Sequence, residues 1–187
     1  MRAKIAKAVR VAFARKVQQE IPQFVPVETR RIRAGDRLFI WQIGPDMNAY
    51  IYLFISPKYN QDKFTVDLAC SGGEFPLKTF WGPNDQKDGV VRFRLPQLYK
   101  NQWPKRNWEP LWEVGPHPTS REVIDRAMAQ IKAGDLPTKD QGLLPLEEAM
   151  RFVEPQIQDA VDKIKKFGIP FFDGFAEQNS GKIRDPG

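Results

Sequence analysis

Apolar residues recur at helical spacing over residues 2–20. Ile5, Val9, Ala12, Phe13 and Val17 share one side, and Lys4, Lys7, Arg10 and Arg15 occupy the other. The pattern predicts an amphipathic helix that Pro22 ends. The period then drops to two. Residues 25–33 form a charged run suited to an edge strand, whereas 37–43 and 50–55 are nearly continuous apolar and aromatic runs. Between the latter two, residues 44–48 (GPDMN) are turn formers and predict a loop. Residues 63–71 alternate most cleanly: Phe64, Val66, Leu68 and Cys70 predict a buried face, with Thr65, Asp67, Ala69 and Ser71 on a mostly polar one. Residues 91–95 repeat the pattern, placing Val91, Phe93 and Leu95 inward and Arg92 and Arg94 outward. Strand-like runs joined without helices between them predict an antiparallel meander.

The second half of the chain changes character. Residues 96–118 are rich in Pro and Trp and predict irregular but ordered structure. Residues 119–133 return to helical spacing through Val123, Ala127 and Ile131, with a stop at Gly134. A longer helix is predicted over 146–167, striped by Ala149, Phe152, Val153, Ile157, Ala160, Val161 and Ile164. A kink or break is expected at Pro155 and an end at Gly168, after which Ile169-Pro170-Phe171-Phe172 packs back on the domain. The expected fold class is therefore α+β: one antiparallel sheet of about four to six strands with N-terminal and C-terminal helices packed on one face. A single domain over 1–175 is expected, followed by a loosely packed tail at 176–187.

Composition narrows the function classes. The chain has 187 residues, 41% of them hydrophobic, which suits one domain and argues against disorder. No apolar run approaches the ~20 residues that span a bilayer. One Cys gives no intramolecular disulfide framework and no Cys-based zinc site, and one His leaves few nitrogen ligands, so no metal and no cofactor are expected. A secretory signal needs an unbroken apolar core of about 7–15 residues, and a mitochondrial presequence is usually Ser-rich. Arg10 and Arg15 interrupt the first, and the N-terminal segment lacks Ser for the second, so a cytoplasmic location is expected.

The formal charge of +6 is not evenly spread: residues 1–37 hold ten basic side chains against Glu20, Glu28 and Asp36. A localised positive potential attracts phosphate or acidic protein surface, although a solvated helix face and strand edge kept soluble by Lys and Arg is the simpler account. Lys4, Lys7, Arg10, Arg30, Arg31 and Arg33 are the candidate contacts if the partner is nucleic acid. Four of the five Trp lie within residues 81–112, with Lys100, Lys105 and Arg106 interleaved. Such rings serve packing, protein interfaces or base stacking.

Catalytic candidates are thin. Cys70 and His117 are the one thiol–imidazole combination, but an inward Cys among apolar neighbours is the opposite of an activated thiolate. Glu147-Glu148 suits a helix start, and Asp159 and Asp162 suit a helix surface. Asp67, projecting from a strand's polar face, is the one carboxylate retained as a site candidate.

Several pieces in order, Phe64-Thr65-Val66-Asp67-Leu68, Trp108-Glu109-Pro110-Leu111-Trp112 and Ile169-Pro170-Phe171-Phe172-Asp173, resemble a bacterial family of uncharacterised proteins known as a domain of unknown function. The resemblance implies the same α+β arrangement over most of residues 1–175 and carries no activity or site residue; the loop at 72–89 departs from it. The leading expectation is a non-catalytic binding protein, with a protein partner, acting through an aromatic and basic sheet surface: Trp41, Tyr50, Tyr52, Arg92, Arg94, Trp103, Trp108 and Trp112. A nucleic-acid-binding accessory protein is the alternative, and an enzyme centred on Asp67 or Cys70 the third. A homo-oligomer is compatible with each.

Overall fold

The computed structural model describes residues 2–27, 37–55, 63–72, 90–100, 112–114, 128–129, 132–133 and 146–180. The apolar stripe of the N-terminal segment forms α1 (Arg2–Glu20), with Ile5, Val9, Ala12, Phe13 and Val17 buried as its spacing requires. A short β1 (Val25–Pro26) follows, then β2 (Arg37–Gly44) and β3 (Met47–Ile55). Residues 28–33 of the expected edge strand lie outside the described residues. The predicted loop at 44–48 is tighter than expected: only Pro45 and Asp46 connect the strands. Asp46 adopts φ 55°, a left-handed conformation that Asp tolerates through its short polar side chain, and a register shift at Gln42/Gly44 accommodates the turn.

β4 (Lys63–Gly72) pairs antiparallel with β3 along its length, and β5 (Val90–Arg94) pairs antiparallel with β4. The order β1-β2-β3-β4-β5 is the meander that alternation implied. A two-residue β6 (Trp112–Glu113) pairs with the start of β4 and follows the short α2 (Gln97–Lys100). The fold is α+β, with an N-terminal helix, an antiparallel sheet and C-terminal helices.

The C-terminal helices depart from expectation. α3 (Leu146–Lys163) carries Pro155 within an unbroken helical span. Gly168 does not end the helix: the chain passes through a π-helical turn, Ile164–Gly168, directly into α4 (Ile169–Ser180). The Ile169-Pro170-Phe171-Phe172 segment is thus the first turn of a helix, and it packs back on the domain as expected, with Phe172 fully buried in the core. Close packing supplies the reason for the glycine. A Cβ at position 168 would lie 2.9 Å from Leu68 Cδ1, so Gly168 lets this joint approach the sheet. The expected helix at 119–133 falls mostly outside the described residues.

The main core lies between the helices and one sheet face. Phe39, Ile51, Leu53, Phe64, Val66, Leu68 and Cys70 meet Phe13, Val17, Val153, Ile157, Ile164 and Phe172 there. Burying an aliphatic or aromatic side chain of this size contributes about 1.5–3 kcal/mol. α1 and α3 are tied by polar contacts as well: Arg15 pairs with Glu154, and Glu20 accepts from Gln158 at 3.3 Å. Glu20 also accepts from Lys165 Nζ at 3.1 Å.

Candidate functional site

Strand alternation sends every second side chain away from the helices. On β3 this set includes Tyr50, Tyr52 and Phe54, and on β4 it includes Thr65, Asp67, Ala69 and Ser71. Register aligns them into cross-strand rows: Leu38, Tyr52, Asp67 and Arg94 in one, and Ile40, Tyr50, Ala69 and Arg92 in the next. Leu38, Tyr50, Tyr52 and Ala69 make a second apolar cluster, to which no described helix contributes.

The mostly polar face expected from the alternation is present on the side away from the helices, but it is largely buried. Asp67 is 2% exposed, Ser71 0% and Thr65 6%. Arg92 and Arg94, expected outward, hold side chains only 10% and 17% exposed. Charge pairing makes this burial tolerable: Arg92 Nη2 donates to Asp67 Oδ2, and Arg94 Nε stands 3.6 Å from Asp67 Oδ1. Two guanidinium groups thus share one carboxylate. A carboxylate is tolerated away from water only when paired in this way, and leaving it alone there costs several kcal/mol. Nearby, Ser71 Oγ donates to Tyr50 Oη at 3.2 Å. Three buried polar atoms on this face form no hydrogen bond: Thr65 Oγ1, Asp67 Oδ1 and Arg94 Nε.

Of the expected surface residues, Tyr50, Tyr52, Arg92 and Arg94 therefore come together. Trp41 does not join them. It lies on the helix side, its ring 5.4 Å from Phe24 and 6.5 Å from Phe172. Trp112 is also placed apart, stacked on Phe64 at 5.2 Å and donating through Nε1 to Asp159 Oδ2 at 2.8 Å. Trp103 and Trp108 lie outside the described residues. For Asp159, burial raises the carboxyl pKa, but hydrogen bonds from Lys163 and Trp112 outweigh it and hold the group below its ordinary value. Thr65 and Ser71 were not singled out as site residues; in sequence both read as the ordinary polar side of a strand.

Among the candidates for nucleic acid, Lys7 is exposed and Arg10 half-buried on α1, which also carries Lys4. Arg30, Arg31 and Arg33 lie outside the described residues. Further along the same helix, Arg15 and Lys16 are engaged by Glu154 and Glu20.

Cys70 occupies the helix side, fully buried, and burial pushes its thiol far above the ordinary range, so a thiolate nucleophile is disfavoured there. His117 lies outside the described residues. Among the described residues, no three His, Cys, Asp or Glu side chains are grouped to hold a metal, and no helix is long and apolar enough to cross a membrane. Compared with protein-family models, curated proteins and solved structures, the chain finds no match.

Proposed function

We propose that the chain is a non-catalytic, cytoplasmic binding protein whose recognition site is built from the largely buried tyrosine and arginine side chains of this sheet face. The observation that carries this reading is the convergence of Tyr50, Tyr52, Arg92 and Arg94 on one face of β3, β4 and β5, with two guanidinium groups for the single carboxylate of Asp67. Sheet stability alone does not require this investment: an apolar row of similar volume would be about as stable as a buried ion pair, or more so. Tyr and Arg are also the residue types that dominate recognition surfaces, because each offers a large planar area and a directed donor. A lone, inert, buried thiol is consistent with a reducing compartment.

The test compares capture from cell extract by the immobilised wild-type chain and by Arg94→Gln, after both give the same circular dichroism spectrum. The small molecules and proteins retained by each are identified by mass spectrometry. Binding through this face predicts at least one species retained by wild type and lost from the variant. Identical retained sets from the two proteins contradict the assignment.

A further inference from the structure

Thr65, Asp67 and Arg94 occupy adjacent positions on the same face. Thr65 precedes Asp67 by two residues along β4, and Arg94 on β5 is the register partner of Asp67. Each carries a buried polar atom without a hydrogen bond: Thr65 Oγ1, Asp67 Oδ1 and Arg94 Nε. Among the described residues the Arg94 guanidinium meets only Asp67, whose other oxygen is already taken by Arg92. Asp67 Oδ1 and Arg94 Nε face each other at 3.6 Å as an ion pair without a hydrogen bond, and Thr65 Oγ1 beside them has none; buried polar groups are normally hydrogen-bonded, so the three leave hydrogen-bonding capacity for a ligand. The set is chemically mixed. Arg94 Nε can only donate, Asp67 Oδ1 can only accept while ionised, and the Thr65 hydroxyl can do either.

We propose that this trio binds an oxyanion that still carries a proton: a hydrogen phosphate, as the free ion or as a small phosphate monoester. The inference rests on the binding role proposed above and names the ligand chemistry of that face. The ligand's unprotonated oxygens accept from Arg94 and Thr65, and its P–OH donates to Asp67 Oδ1. A fully deprotonated oxyanion leaves Asp67 facing a like charge with no hydrogen bond. Arg92 is a positioning residue that fixes the carboxylate through Oδ2 and leaves Oδ1 presented.

The decisive comparison is phosphate against sulfate. The two are nearly isosteric, but at mildly acidic pH phosphate keeps a proton and sulfate has none. Isothermal titration calorimetry of the full chain at matched ionic strength is expected to show phosphate binding at least about tenfold tighter than sulfate, because an unsatisfied buried charged acceptor is costly. Glycerol phosphate, titrated in parallel, distinguishes the source, since the tighter of the two phosphate ligands identifies a free ion or a monoester. Thr65→Val, which leaves the Arg92–Asp67 pair intact, is expected to weaken phosphate binding. Asp67→Asn, whose amide can donate, is expected to erase the preference over sulfate. Equal affinity for phosphate and sulfate in the wild type overturns the proposal, as does the absence of heat with phosphate and glycerol phosphate alike. If phosphate fails while extract capture still depends on Arg94, only the ligand chemistry is wrong; if both fail, the binding face itself is wrong.

Discussion

Replacing Arg92 by Met tests whether the Asp67 pair is as buried and consequential as its geometry implies. Met keeps much of the arginine stem's volume, so the change isolates the guanidinium. The side chains of Arg92 and Asp67 are 10% and 3% exposed, well below the level at which solvent screening would discount their interaction. Removing one member of a buried pair costs about 3–5 kcal/mol, because the remaining charge is left without its partner. Arg94 Nε, 3.6 Å from Asp67 Oδ1, offsets part of that loss without forming a hydrogen bond. The expected destabilisation for Arg92→Met is therefore about 2–4 kcal/mol. For a chain of 187 residues this corresponds to a fall in Tm of about 5–15 °C. Chemical denaturation followed by circular dichroism, with the denaturant slope unchanged, measures it. Arg94→Met is expected to cost less, since its guanidinium makes no hydrogen bond to Asp67. A loss within about 0.5 kcal/mol for Arg92→Met, the range of ordinary surface substitutions, refutes the reasoning.

Further outcomes follow from the helix-side packing. Gly168→Ala is expected to cost about 0–2 kcal/mol net, overpacking against Leu68 Cδ1 being partly offset by alanine's helix preference of about 1 kcal/mol, and to become neutral or stabilising in a Leu68→Ala background; an unchanged effect in that background shows the two sites do not touch. The Glu20 carboxyl is held below its ordinary value by hydrogen bonds from Gln158 and Lys165, against the opposing effect of burial. A depressed folded-state pKa stabilises above the unfolded-state value and loses that effect as pH falls through the folded one. The stability gap between wild type and Glu20→Gln should therefore be full near neutrality and shrink below the ordinary glutamate range; a gap independent of pH excludes the mechanism. Cys70 should resist alkylation in the native protein and react stoichiometrically once denatured; rapid native labelling would restore a thiol-centred enzyme to consideration.

Much of the fold was legible because it follows from local periodicity. Phe64, Val66, Leu68 and Cys70 alternate within one strand, and Ile5, Val9, Phe13 and Val17 recur within one helix, so each pattern announces its own buried side. The fate of the opposite side was not legible. Asp67 and Ser71 look like solvent-facing residues until Arg92 and Arg94 are placed one strand away, and that register is set by antiparallel pairing and not by spacing. For the same reason the sequence grouped Trp41 with Tyr50 and Tyr52, although pairing with Ala49 places Trp41 among the helix-side residues. Gly168 reads as a helix stop because glycine commonly is one; here its missing side chain serves a tertiary approach to Leu68, which no local rule contains. The site was half visible. Tyr50, Tyr52, Arg92, Arg94 and Asp67 were named by residue type, but not as members of one buried constellation.

The burial of the arginine-bearing face is most directly tested by nitrogen-edited NMR of the arginine side chains in the ligand-free protein. Arg94 Nε is buried from solvent, so its Hε should give a resolved signal that exchanges slowly with water and is lost in Arg94→Gln. An Arg94 Hε that exchanges as fast as that of a free, solvated arginine would contradict the burial of the Asp67–Arg92–Arg94 cluster in the ligand-free protein, from which the proposed site is argued.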